Sequence, residues 1–149
     1  MFFMKLDSTI YSSFLISIRK TVTNILKESN YSLVHLNDSF VTIKFVHHVV
    51  EELEKIRSFQ RWGQVDFDID IEEMTKLLKH LEKSMRKRNS TLKQKNHFRR
   101  LLYDLKIKEA IPEDYLYLKR RLVEMEGSVV KSKKCKKTLD EREDLSNHY

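Results

Sequence analysis

His47 and His48 stand side by side, and each is followed four residues later by a carboxylate, Glu51 and Glu52. On a helix these are neighbouring pairs on one face. Imidazole and carboxylate at that spacing could begin a metal site. A zinc site, however, needs a third and usually a fourth ligand, and no nearby segment supplies them. The four residues therefore read as a solvated or partly buried helix face. Glu72 and Glu73 are the next pair of carboxylates. Adjacent residues leave a helix on different sides, so these two make a poor acid and base for one reacting group. There is no glycine-rich phosphate loop, no nucleophile elbow and no His-Glu-x-x-His. The expectation is a protein that is not an enzyme and that carries no cofactor and no metal.

The basic residues offer a different chemistry. Arg86-Lys-Arg88, Lys93, Lys95, Arg99 and Arg100 span fifteen positions with no acid between them. Lys119-Arg120-Arg121 adds to the set, as do Lys131, Lys133, Lys134, Lys136 and Lys137. The formal net charge is +7 and the isoelectric point is near 9.4. A chain so charged is drawn to acidic partners, whether nucleic acid, an anionic membrane or an acidic protein face. Clustered Lys and Arg suffice to hold phosphates, but no zinc finger or aromatic-rich sheet motif is present to read bases. The bland alternative is a cationic face turned to water.

Asparagine supplies a third signal. Asn30-Tyr-Ser, Asn37-Asp-Ser and Asn89-Ser-Thr are glycosylation-type triplets. Chance gives about one such triplet in a chain with this Asn, Ser and Thr content. All three fall at predicted loops or helix ends, where Asn, Ser and Thr also gather for backbone reasons. The single cysteine, Cys135, can form no internal disulfide and no cysteine-based zinc site. No apolar run approaches the ~20 residues of a membrane span. Met1-Phe-Phe-Met-Lys-Leu-Asp7 resembles a secretory leader only in part, because Asp7 intrudes and Arg19-Lys20 replaces a small-residue cleavage site. The segment reads better as the approach to an amphipathic helix.

Helices must position all of these groups. With only Gly 2 and Pro 1 among 149 residues, an all-β or Rossmann-like fold lacks its turn residues. The expectation is all-α: a bundle of four to five helices over residues 1–127, with a long loop between the second and third helices. A basic, flexible tail follows over 128–149. Ile10, Phe14, Ile18, Val22 and Ile25-Leu26 predict a first helix from about Ser8 to Glu28, capped by Asp7 or Ser8. Asn37 or Asp38 is the candidate cap of a second, whose stripe is Phe40, Ile43, Val46, Val50, Leu53 and Ile56. Val65, Phe67, Ile69 and Ile71 alternate with acids, the period of a half-buried strand with nothing to pair with. We read an extended loop with its apolar side chains turned inward. Asp70-Ile-Glu-Glu73 opens the third helix, with Met74, Leu77, Leu78, Leu81 and Met85 inward. Asn89-Ser-Thr91 marks its end or a kink, and one continuous helix over 72–108 is the alternative. Phe98, Leu101, Leu102 and Leu105 form the next stripe. Pro112-Glu-Asp114 opens the last helix, with Tyr115, Leu118, Leu122 and Met125 inward and Gly127 as its stop.

The stretch Asn96-His-Phe-Arg-Arg-Leu-Leu-Tyr-Asp-Leu-Lys-Ile-Lys-Glu109 resembles the fourth helix of type I interferons. In that family an aromatic, a basic residue and two apolar residues precede a Leu-Lys-x-Lys-like ending. Lys119-Arg-Arg-Leu-Val-Glu124 resembles part of the family's last helix, and Asn37 to Glu54 and Ile10 to Leu26 take the places of two earlier ones. The chain departs from the pattern in lacking the Cys-Ala-Trp segment and the disulfides. No helix is expected before Ser8, so the family's first helix would be missing. The resemblance implies a secreted helical cytokine whose whole activity is to bind a cell-surface protein receptor. It would make Arg99, Arg100, Lys106, Lys119 and Arg120 the receptor contacts, and it suits glycans on Asn30, Asn37 and Asn89. The alternative is a nuclear or cytoplasmic basic helical protein that binds nucleic acid or serves as a subunit of a larger assembly.

Overall fold

A computed structural model describes residues 6–129, so the expectations for Met1-Phe-Phe-Met-Lys5, for Cys135 and for the tail from residue 130 lie outside the described residues. Within it the chain is all-α, with five helices and no strand. They are α1 (Ser8–Glu28), α2 (Ile43–Ile56), α3 (Ile71–Arg86), α4 (Leu92–Leu105) and α5 (residues 115–129). The chain divides into two compact units between Arg88 and Asn89, inside the span read from the sequence as one bundle.

In the first unit α2 packs against both α1 and α3. α1 has the bounds its stripe predicts, because the Asp7 side chain accepts a hydrogen bond from the Thr9 N–H at 2.9 Å and caps it. It ends where Asn30 and Tyr31 turn left-handed (φ 54° and 60°) and Tyr31 N–H bonds back to the Leu26 carbonyl. α2 begins later than the sequence suggests. Its cap is Thr42, which accepts from the Phe45 N–H, and neither Asn37 nor Asp38 caps it. Ile43 is 78% exposed, and the buried stripe is Phe45, Val46, Val49 and Leu53.

The reason for the shift is a distant clamp. Glu82 on α3 is buried, and its carboxylate accepts from the Ser39 hydroxyl (2.7 Å) and the Phe40 N–H (2.9 Å). Arg86, one turn on, donates to the His35 and Asp38 carbonyls. Its guanidinium also lies 5.8 Å from the Phe40 ring. Segment 35–42 is therefore held as a loop, with Phe40 and Val41 buried as anchors. The clamp also corrects the inward face of α3. Met74, Leu78 and Glu82 are buried, whereas Leu77, Leu81 and Met85 are half-buried.

Between α2 and α3 run two short 3-10 turns, Arg57–Phe59 and Trp62–Gln64, followed by the expected extended stretch. Phe67 is buried there, with Val65 and Ile69 half-buried and Asp66 and Asp68 exposed, while Ile71, the last residue of the alternation, already opens α3. Phe14, Trp62 and Phe67 form an edge-to-face trio, with ring centroids 4.7, 5.4 and 6.2 Å apart. The buried indole N–H of Trp62 donates to the Ser17 hydroxyl at 2.9 Å. Arg57 caps the trio, 4.8 Å from the Phe67 ring, and donates to the Val65 and Phe67 carbonyls.

The second unit starts afresh. Thr91 and Gln94 make reciprocal side-chain to backbone bonds, a capping box that opens α4 and rules out one helix over 72–108. Phe98 and Leu101 on α4 meet Leu118, Leu122 and Met125 on α5, with Leu102, Leu105, Ile111 and Val129 around them. Asp114 caps α5 by accepting from the Leu116 and Tyr117 N–H groups, both at 3.1 Å. Gly127 does not end α5: residues 127–129 remain helical, and no glycine takes positive φ. Glycine weakens a helix but stops one only when it turns left-handed.

The two glycines should respond oppositely to alanine. A Cβ at Gly63 would lie 1.7 Å from the Arg57 carbonyl oxygen, so Gly63→Ala must push backbone apart. A loss of about 2 kcal/mol or more is expected in denaturant unfolding. A Cβ at Gly127 meets nothing within 4 Å. Gly127→Ala should stabilise by about 0.5–1 kcal/mol in the same measurement.

Candidate interaction surface on the fourth helix

Helical spacing sorts the residues of α4 into two sides. Gln94, Phe98, Leu101 and Leu105 turn to the core of the second unit. The opposite side carries a ridge of Leu92, Asn96 and Tyr103, with Leu92 70% and Tyr103 84% exposed. Lys93 and Arg100, seven residues apart, flank this ridge on one side; Lys95 and Arg99, four apart, flank it on the other. Arg99 and Arg100 are both exposed, and Arg99 donates to the Asn96 side chain at 3.2 Å. The only acid on the helix is Asp104. The result is a cationic face with an exposed aliphatic side chain, Leu92, at the start of the helix and an exposed aromatic one, Tyr103, near its end.

Two concavities adjoin it within the second unit. One, of about 490 Å³, is lined by Asn89, Ser90, Lys95, Arg99, Pro112 and Glu113 among others. The other, of about 530 Å³, gathers Tyr103, Lys106, Ile107 and Lys108 with Leu102 and Asp104. Arg99 thus borders one hollow, and Lys106 shares the other with Tyr103. Lys106 sits just past the helix in the left-handed conformation (φ 56°, ψ 42°), which swings the chain away after Leu105. The Lys-Ile-Lys-Glu ending of the interferon-like stretch therefore lies outside the helix.

Lys119 and Arg120 are placed differently. Both lie on α5 and both engage neighbours. The Lys119 ammonium is 5.6 Å from the Tyr115 ring. The Arg120 Nε donates to Glu124 at 2.6 Å. Beside them Arg121, which the sequence reading places in the basic set but not among the receptor contacts, forks onto Glu109 (2.9 and 3.1 Å) and reaches Glu124 at 2.7 Å. This network ties the 106–114 connection to α5. Burial works against charge on Glu124, but the hydrogen bonds from Arg120 and Arg121 outweigh it and hold the carboxyl below its ordinary range. Burial likewise opposes the Arg121 charge, and its bonds to Glu109 and Glu124 raise its pKa nonetheless. His97 also escapes the sequence reading; its Nε2 lies 2.6 Å from a Glu126 oxygen and joins α4 to α5.

The three glycosylation-type asparagines are all exposed. Asn30 and Asn37 have positive φ (54° and 60°), a conformation that Asn tolerates better than other side-chain-bearing residues. Their identity thus has a backbone explanation, and Asn89 has none of this kind. His47, His48 and Glu51 are exposed, as the solvated-face reading expects, and Glu52 pairs with Lys55 at 2.8 Å. Among the described residues no group of three or more His, Cys, Asp or Glu could hold a metal ion, and no helix is long and apolar enough to cross a membrane.

Two substitutions test this geometry. Glu124 has a depressed folded pKa, so its stabilising effect is present above the ordinary value of 4.5 and is lost as pH falls through the lower, folded one. The pair is partly exposed, so the effect should stay under about 1 kcal/mol. Glu124→Gln should flatten the acid limb of a stability-versus-pH curve by that amount. Lys106→Gly removes the left-handed penalty and should raise stability by about 1 kcal/mol in denaturant unfolding. No protein-family model, curated protein or solved structure matches this chain.

Proposed function

We propose that the protein acts by binding and not by catalysis. It is a helical cytokine-like ligand that docks an acidic patch of a cell-surface receptor through the outer face of α4. One observation carries this reading: Arg99, Arg100 and an almost fully exposed Tyr103 share that face with exposed Leu92 and a single acid. Arg and Tyr are the residue types that dominate protein-binding hot spots, and exposed apolar side chains on the same face suit a protein partner better than a phosphate backbone. The resemblance of Asn96–Glu109 to a type I interferon helix points the same way, as do the exposed asparagines at 30, 37 and 89. Lys106 extends the surface past the end of the helix. Lys119 and Arg120, held by Tyr115 and Glu124, would form its margin.

The second reading is a nucleic-acid surface. It rests on the acid-free run from Arg86 to Arg100, of which Lys93, Arg99 and Arg100 are exposed on α4. Arg86 supports it least, since its guanidinium is committed to the loop carbonyls of His35 and Asp38.

Expression in a secretory cell separates the two. The ligand reading expects exported protein with glycans on Asn30, Asn37 or Asn89 and saturable binding to the surface of cells of the source organism. Arg99→Glu with Arg100→Glu should weaken that binding tenfold or more, while thermal unfolding moves by under about 0.5 kcal/mol. Unglycosylated, retained protein with no cell-surface binding would end the cytokine reading. Binding to random duplex DNA that weakens with salt, at a slope of about 0.9 per phosphate contacted, would give the face to nucleic acid instead.

A further inference from the structure

The first unit holds a second feature that the α4 surface does not use. A groove of about 560 Å³ runs between α1 and α3. Its floor is apolar: Tyr11, Leu15, Ile18, Leu77 and Leu81. Leu15, Leu77 and Leu81 are only half-buried, and Ile16 on the lip is 57% exposed. Its rim carries Arg19, Lys20 and His80, all exposed, and no carboxylate lines it. The lining residues of α1 extend from Tyr11 to Lys20, which at 1.5 Å per residue is about 13 Å, or two to three helical turns.

We propose that this groove receives an acidic amphipathic helix of a protein partner. The argument is one of shape and charge. A small amphiphile needs a site that buries most of its surface, and a channel with Ile16, Arg19, Lys20 and His80 in solvent encloses too little. A helix laid along two flanking helices instead presents apolar side chains at three- and four-residue steps, which the Leu15, Leu77 and Leu81 floor can accept. Its flanks would meet Arg19, Lys20 and His80, so they must be acidic. A second copy of this chain, at +7, is a poor occupant of a cationic rim.

The test is titration of the full-length protein, by fluorescence anisotropy, with a labelled 18-residue peptide of leucine at heptad a and d positions and glutamate and alanine elsewhere. Two control peptides complete the set: the same composition scrambled to destroy the stripe, and the parent with lysine for glutamate. The expected result is saturable binding of the acidic amphipathic peptide alone, accompanied by a gain of helical circular dichroism. Arg19→Glu with Lys20→Glu, both at exposed positions, should weaken it tenfold or more and let the lysine peptide bind in its place. Arg99→Glu with Arg100→Glu should leave it unchanged, which separates this site from the α4 face. Failure of the acidic peptide to bind, equal binding of its scrambled form, or indifference to Arg19→Glu/Lys20→Glu would overturn the proposal. So would a wild-type dimer in sedimentation that the same double variant dissociates.

Discussion

An indole ring with no solvent exposure has one N–H that must find an acceptor, and much of the first unit follows from how Trp62 meets that demand. The acceptor is the Ser17 hydroxyl, which is why a polar residue occupies the buried side of α1 between Phe14 and Ile18. Trp62 is brought to Ser17 by a chain that bends back through two short turns. The second turn is so tight that its middle residue can carry no side chain, since a Cβ at Gly63 would overlap the Arg57 carbonyl. Phe67 then completes the aromatic trio from the extended stretch, and Arg57 closes over it. A segment with little regular structure of its own is thus fixed by one ring and the groups that satisfy it.

The second unit is built on a different economy. Its core is two helical stripes, with Phe98 and Leu101 facing Leu118, Leu122 and Met125, and its polar bonds lie at the edges. His97 with Glu126, Gln94 with Tyr115, and Arg121 with Glu109 and Glu124 all join parts of this unit while remaining wholly or partly solvated. Such pairs are individually weak, so they specify register more than they stabilise. Arg120 and Arg121 are taken up in this way, so among the described residues of this unit the cations with no carboxylate bound to them gather on α4 and just after it. That concentration, more than the chain's total charge, is what makes the outer face of α4 a candidate surface.

Elements whose causes are local could be read from the sequence. Asp7 and Asp70 each cap the helix they precede, as expected, and the α1 stripe has its expected bounds; α5 starts only after Pro112-Glu-Asp114, which were expected inside its first turn, and Asp114 caps it. The alternation correctly marks an extended segment with its apolar side chains inward over 65–70, though Ile71 already belongs to α3. What could not be read depends on contacts far along the chain. α2 starts at Ile43 because Glu82 and Arg86, some forty to fifty residues on, hold the preceding loop, and nothing near Asn37 signals this. Glu82 itself looks like any solvated helix glutamate. Gly127 shows the opposite error: a strong local stop signal that the chain passes through as helix. For the surface, spacing alone placed Arg99 and Arg100 outward; it gave no hint that Glu124 and the Tyr115 ring would occupy Arg120 and Lys119. Tyr103, 84% exposed, was legible as an outward position on the helix but not as part of a surface, because one tyrosine among charges is unremarkable until its exposure is known.

The break at residues 87–91 bears on how the molecule comes apart. Each side of it contains a complete apolar nucleus of its own, one around Trp62 and Phe14, the other around Phe98 and Leu118. Lys87 and Arg88 are exposed there, in backbone that belongs to no helix. Limited digestion by a protease specific for basic residues thus has an accessible peptide bond at which two hydrophobic nuclei can be separated without cutting through either.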